Sequence, residues 1–314
     1  MKLPQRRYSM ELVEKIEDIA NLKENRIIGT PVLNNSHIRF EGKGNILYCE
    51  GRAVISNSRL VFNANDSLIY FGNSKNEYKM YAALYNDNVF HMGRDNAIND
   101  GFKKQLIAIL SEQKHIFIGD RCLFSFGVCL RNSDPHLIYD TRTLKRLNPT
   151  KSVFIGDHVW FGQDTAVFKG TQIDSGSIIG ADSLVSGKRI PFNEIWTGVP
   201  CRRLRQYAFW DYDFVHGWRE DMTSDGEDFA KYVKKHEPGI AADEWIYRYE
   251  PKECVVFDDL DKQISAQKGA EKKLDFLIDF DKKRSKNRFA HAGVTPEKEK
   301  GSGFFGHLLG KQEK

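Results

Sequence analysis

Residues 155–190, IGDHVWFGQDTAVFKGTQIDSGSIIGADSLVSGKRI, divide into hexads headed by Ile155, Phe161, Val167, Ile173, Ile179 and Val185. A large apolar side chain recurs at every sixth position, with small or polar residues between. That period matches neither the 3.6-residue repeat of an amphipathic helix nor the two-residue alternation of a half-buried strand. It fits a solenoid in which about eighteen residues, six to a side, make one triangular turn. Each apolar lead then points inward onto its equivalents in the turns above and below. The fifth hexad position holds Val159, Thr165, Thr171, Ser177 or Ser183, small enough for a tight corner stack. Glycines after several leads (Gly156, Gly162, Gly180) suit the bend into the next side. A β-sandwich with glycine-rich turns is the alternative, but its strands do not hold a sixfold register.

The beat is uneven along the chain. It returns in residues 88–98 and 115–130, while residues 36–74 alternate apolar and polar positions among Gly and Asn, as short strands with tight turns do. Between these blocks, DGFKKQLIAILSEQ (100–113) reads as a short helix inserted among the coils. Residues 131–152 break the pattern. Residues 8–23 read as one amphipathic helix with Leu12, Val13, Ile16, Ile19 and Ala20 on one side. After Arg205 the texture changes to Trp, Tyr and acidic residues (206–258), then to a charged helix over 259–283 with Leu260, Ile264, Leu274, Leu277 and Ile278 as its stripe. The expected organisation is a helical lead-in (1–35), a β-helix domain (36–205) with an irregular loop at 131–152, an aromatic and helical extension (206–283), and a basic, mobile tail (284–314). In that tail Phe304, Phe305, Leu308 and Leu309 are the residues able to dock.

Charge and composition narrow the function classes. Among 314 residues, 47 are basic and 43 acidic, a formal net charge of +4 that gives no footprint for nucleic acid. No apolar run approaches the roughly 18–20 residues that span a bilayer. The first residues are too charged after Arg7 for a signal-peptide core. The five cysteines (Cys49, Cys122, Cys129, Cys201, Cys254) are scattered without a C-x-x-C pair and read as reduced packing residues of a cytoplasmic protein. Membrane contact is expected only through the basic tail.

Three segments stand in order: the loop NSDPHLIYD, the segment IGDHVWFG, and the coil exit IPFNEIWTGVPCRRLR. Together they resemble the hexapeptide-repeat acyltransferases, in particular the galactoside, maltose and polysaccharide O-acetyltransferase branch. The resemblance is strong over 115–205, degenerate over 36–98 and absent after about 210. It implies a mainly β fold, a left-handed parallel β-helix with short inserted helices and an α-rich C-terminal extension. It also implies a homotrimer with coenzyme A bound between subunits, and direct acetyl transfer from acetyl-CoA to a saccharide hydroxyl in a ternary complex.

His136 sits in the irregular loop. A sugar hydroxyl is a poor nucleophile at neutral pH, and an imidazole with a pKa near ~6.5 suits the task of taking its proton. The resemblance assigns that role to His136. Asp134 is a candidate to orient the imidazole or meet the acceptor, Ser133 to bind a sugar oxygen, and Asp140 to serve as a second orienter; turn capping is the alternative for each. Trp160 closes a hexad and so is free of the core. By resemblance it lies beside the acetyl and acceptor groups, where it stacks on a sugar, shapes the thioester slot or donates its N–H; packing against a neighbouring subunit is the other reading. His158, two residues earlier, reads as a surface corner residue. The resemblance puts the thioester and pantetheine near the amides of Gly162 and Gln163, although Gln163 stands where the family often has a small residue. Ala181, Ser186 and Lys188 match the pantetheine and phosphate path, and Arg202 and Arg205 the residues that meet the nucleotide phosphates.

Rival readings remain on the same fold. A zinc hydratase of the γ-carbonic-anhydrase kind needs three converging histidines, whereas only His136 and His158 lie near the coils' active edge, so no metal is expected. A non-catalytic scaffold or glycan-binding protein is another alternative, and an N-acetyltransferase acting on a nucleotide sugar a third. The aromatic region 207–249 either extends an acceptor groove or caps the solenoid end.

Overall fold

The computed structural model describes residues 10–101, 104–241 and 243–295. Its strands stack into a parallel β-solenoid of about seven turns. The first face holds eight strands, from Glu11–Val13 and His37–Phe40 to Ala166–Phe168 and Leu184–Ser186. The second face holds eight, from Arg26–Ile28 to Arg189–Ile190. The third is divided into a three-stranded part starting at Val32–Asn34 and a six-stranded part running from Ala97–Ile98 through Trp160–Phe161 to Arg202–Arg205. The first strand of the first face and the last of the third pair antiparallel with their neighbours, which finishes the ends of those two sheets.

The hexad leads are the core. Leu130, Val167 and Val185 stack on the first face, Ile118, Ile155, Ile173 and Ile190 on the second, and Phe124, Phe161 and Ile179 on the third. All of them are fully buried, and the Phe124 and Phe161 rings stack with centroids 5.0 Å apart. Close approach is what requires glycine at the corners: a Cβ on Gly162 would lie 2.4 Å from the Ala181 nitrogen. The left-handed corner positions are shared between glycines (Gly170, Gly176, Gly187) and non-glycine residues (His158, Asp164, Asp182, Asn193).

Coil length explains the uneven beat. Equivalent residues lie 18 apart in the late coils (Val167 to Val185) but 22 apart in the early ones (Ile38 to Leu60 to Ala82). The longer corners are held by buried amide and hydroxyl ladders. Asn45 donates its backbone N–H to Asn25 Oδ1 at 3.0 Å and accepts from Ser67 N–H at 2.9 Å, and Asn88 N–H meets Ser67 Oγ at 3.0 Å.

Three expected helices differ. In 8–23, Glu11–Val13 is a strand and Ile16–Asn21 a 3-10 helix. Only Val13 of the expected stripe is buried, while Leu12 and Ile16 are 39% and 46% exposed, because the free edge at His37–Phe40 captures the alternating Glu-Leu-Val run. In 100–113, Leu106–Ile109 is a first-face strand whose Ala108 continues the inward column between Ala82 and Leu130. Alternation in LIAI overrides its helical spacing. Beyond the solenoid lie α1 (Glu220–Asp225) and α2 (Phe229–His236), and then the 259–283 region forms two helices, α3 (Phe257–Ala266) and α4 (Gly269–Lys282), separated where Gly269 takes φ +81°.

Helices α3 and α4 cover the outer side of the second face. Phe257, Leu260, Ile264, Leu274, Leu277 and Phe289 pack against Ile46, Leu68, Tyr70, Val89, Phe117 and Phe154. Burying each large side chain there contributes roughly 1.5–3 kcal/mol. A charged seam secures the same cover. Arg288 reaches both Asp157 oxygens at 2.7 and 2.8 Å, Asp120 at 3.0 Å and Asp281 at 3.4 Å, and His91 Nε2 lies 3.1 Å from Asp281. Burial opposes ionisation of Asp120, yet Arg288 and Arg284 outweigh it and its carboxyl lies below the usual range. The tail residues Phe304, Phe305, Leu308 and Leu309 lie outside the described residues. No helix among the described residues is long and apolar enough to cross a membrane.

Candidate active site

The loop 132–152 leaves the solenoid between Cys129–Arg131 of the first face and Val153–Ile155 of the second, so it stands on the edge joining those faces. It is a built turn. Asp140 accepts from the N–H groups of Arg142 at 2.9 Å and Thr143 at 2.8 Å, and an isolated antiparallel bridge joins Tyr139 to Arg146. Arg146 makes a two-pronged contact with Glu112 on the adjacent coil, both bonds at 2.9 Å, and Thr150 bonds the same carboxylate.

His136 is exposed on this turn, its carbonyl accepting from Asn148 Nδ2 at 2.8 Å. Among the described residues its imidazole makes no hydrogen bond. Asp134 pairs with Lys169 and accepts from Asn148 at 3.0 Å, and these donors hold its carboxyl below the usual range. It is not bonded to His136, and Asp140 is committed to capping the turn. Ser133 is buried at the base. Beneath the loop opens a cleft of about 550 Å³ lined by Leu147, Pro149, Lys151, Lys169, Gly170, Ser186, Gly187, Lys188 and Arg189. Its lining holds four cations and no carboxylate, which favours an anion. Ser186 and Lys188 therefore share the loop's edge.

The other singled-out residues lie elsewhere. Gly162 and Gln163, with Ala181 one coil on, form the corner between the third and first faces. Trp160 stands on the third face, 37% exposed, with its ring centroid 5.9 Å from that of Trp210. Arg202 and Arg205 are exposed on the last third-face strand. One first-face strand, roughly 10 Å long, separates the two edges, so a single chain does not bring His136 to the Gly162 corner. The Gly162 N–H already donates to the Ile179 carbonyl at 2.8 Å. That leaves the Gln163 N–H as the amide of this pair free of the ladder among the described residues. Cys122 is buried, which pushes its thiol up and away from nucleophilic use.

His158 is not a surface corner residue. It is fully buried between Trp210 and Trp245, with ring centroids 4.0 and 4.1 Å away. Its Nε2–H donates to the Trp210 carbonyl at 3.0 Å, and Trp210 Nε1–H returns a bond to the His158 carbonyl. Burial pulls its pKa down to about 3. Region 207–249 thus closes the edge between the second and third faces, where Asn193 also bonds Trp245 and Tyr247. Sequence reasoning missed Asn148, Lys169 and the Glu112–Arg146 clamp. The polar run RTLKRLNPTK was the only local signal for Asn148 and Arg146.

Fold and loop together define a parallel β-solenoid related to the hexapeptide-repeat acyltransferases. Its sequence relatives include O-acetyltransferases. The chain is 25% identical over 141 residues to the polysialic acid O-acetyltransferase of Neisseria meningitidis, covering 45% of this chain and 63% of that protein. It is 30% identical over 133 residues to the galactoside O-acetyltransferase of Lactococcus lactis, covering 41% and 62%. The chain thus spans less than two thirds of the length of these curated relatives. The crystal structure of the polySia-specific acetyltransferase NeuO shares the fold, with a TM-score of 0.55 and 23% identity over 67% of this chain and 94% of that one. No family model matches.

Proposed function

We propose that this protein is an acetyl-CoA-dependent O-acetyltransferase acting on a sugar hydroxyl of a bacterial surface glycan, such as a capsule, a lipopolysaccharide or a precursor. The observation that carries the reading is an exposed histidine on a braced loop above a cationic cleft, in a chain whose relatives are named as glycan and galactoside O-acetyltransferases. His136 takes the hydroxyl proton as the oxygen attacks the thioester carbonyl. The Gln163 N–H is the candidate donor to the oxyanion. Collapse expels the coenzyme A thiolate, which recovers the proton from the imidazolium. Ser186 and Lys188 serve the pantetheine arm and phosphates, with Arg202 and Arg205 as further phosphate partners.

The separation of these groups on two edges supports a site assembled between copies of a homotrimer, with one copy's loop facing its neighbour's Gly162 corner and Trp160. The test is thiol release from acetyl-CoA across a glycan panel. Acceptor-dependent release that falls by about 10²-fold or more in His136→Ala supports the base. Full rate in that variant removes His136 from the mechanism, and no release or acetyl-CoA binding by wild type favours a scaffold.

A further inference from the structure

We propose that Asn148 is the positioning residue of the loop, its carboxamide setting the place of His136 and Asp134; this rests on the reading of His136 as the base. Asn148 is only 6% exposed. Its Nδ2 donates to Asp134 Oδ2 at 3.0 Å and to the His136 carbonyl at 2.8 Å. Its Oδ1 accepts from the Ile138 N–H at 2.9 Å and, at 3.4 Å, from Arg146 Nε. Both donors and both acceptor sites of the carboxamide are in use. Chemistry fixes its orientation: the Ile138 N–H can only donate and the His136 carbonyl can only accept.

Asn148 is itself braced. Its carbonyl accepts from Arg146 at 3.2 Å, the Leu147 N–H donates to the Ile138 carbonyl at 2.8 Å, and Arg146 is clamped by Glu112. The contacts therefore run from a solenoid corner, through Arg146 and Asn148, to the Asp134 side chain and to the backbone immediately after His136, its carbonyl and the Ile138 N–H. Among the described residues no other side chain bonds that backbone. Asparagine is needed rather than aspartate, because a carboxylate there would face the Asp134 carboxylate and the His136 carbonyl without a donor for either. Alanine would leave three polar groups unmatched and the turn free to shift, and a displacement of about 1 Å at a catalytic group costs ~10²-fold in rate.

The experiment uses the full chain, acetyl-CoA and the best acceptor of the glycan panel, with Asn148→Ala, Asn148→Asp and His136→Ala in parallel. For Asn148→Ala, kcat is expected to fall by about 10²-fold with KM for acetyl-CoA within about twofold of wild type. Asn148→Asp is expected to lose as much at pH 8. Its rate as a fraction of wild type at the same pH, which cancels protonation of the His136 base itself, is expected to recover partly toward pH 6. A buried carboxyl beside a carboxylate titrates high, and its neutral form regains one O–H donor. A role in stability alone would give neither the kcat–KM split nor the recovery. Folded variants that both keep kcat within about twofold, beside an inactive His136→Ala, overturn the proposal and leave the base intact. If His136→Ala keeps its rate, or no acceptor turns over, amide hydrogen exchange decides. Exchange at Ile138, whose N–H loses its acceptor, should speed by about tenfold or more in Asn148→Ala, with Arg142 and Thr143 unchanged. Equal protection of Ile138 overturns the positioning role.

Discussion

Two edges of the same prism are treated in opposite ways. Where the second and third faces meet, Trp210 and Trp245 close over His158 and burial keeps its ring neutral down to about pH 3. Where the first and second faces meet, the loop leaves His136 in the open, with Leu137, Ile138, Tyr139, Leu144 and Leu147 each more than half exposed around it. A histidine neutral down to that pH cannot cycle a proton near neutrality. The faces repeat the contrast. Helices α3 and α4 cover the second face, while the outer column of the first (Tyr81, Ile107, Cys129, Ala166, Leu184) is only half-buried and no helix among the described residues packs on it. The chain's own C-terminal third closes one side, and the side it leaves is the one that the trimer proposal needs.

The largest expected effect lies on the closed edge. Trp210→Ala should lower stability by about 3–5 kcal/mol in urea unfolding, whereas His136→Ala should stay within about 0.5 kcal/mol of wild type. Equal losses would erase the contrast. Next, Arg288→Ala leaves Asp157, Asp120 and Asp281 facing one another and should cost about 3 kcal/mol in the same measurement; a neutral result would mean that the seam is solvated. A third test is pH. His158 has a folded pKa of about 3 against ~6.5 unfolded, so below pH 6.5 the unfolded chain binds a proton that the folded one refuses. Its contribution is whole above pH 6.5 and is lost as pH falls toward 3, by up to about 1.4 kcal/mol per unit. His158→Phe should flatten that slope, and an unchanged slope would assign the acid loss to the carboxylates. The smallest change in fold stability, under about 1 kcal/mol, is expected for Ile107→Lys on the bare face, which should nevertheless dissociate the proposed homotrimer in light scattering. Persistence of the assembly would move the interface off the first face.

The late coils were readable because their leads repeat every six residues and every lead is buried. The early coils were blurred because 22-residue turns spread the same inward columns over longer strands and corners. The strands at Glu11–Val13 and Leu106–Ile109 were hidden because a short apolar run fits a helix or a strand until a neighbouring sheet edge decides. His136 was legible from its loop. The burial of His158 was not, since its cover arrives from Trp210, 52 residues away. The cover on the second face had a signal that only the fold interprets: Tyr70, Phe117 and Phe154 sit next to inward residues, at positions that a bare face would make polar.

The helix pair across the second face also changes how the molecule comes apart. A bare solenoid gains stability coil by coil and frays from its ends. Here α3 and α4 touch strands from Ile46 to Phe154, so an early coil cannot peel away without exposing apolar surface shared with later ones. The stack becomes a single cooperative unit, in which the amides of Ile46–Cys49 and Val153–Ile155 open at one common free energy, as native-state hydrogen exchange would register.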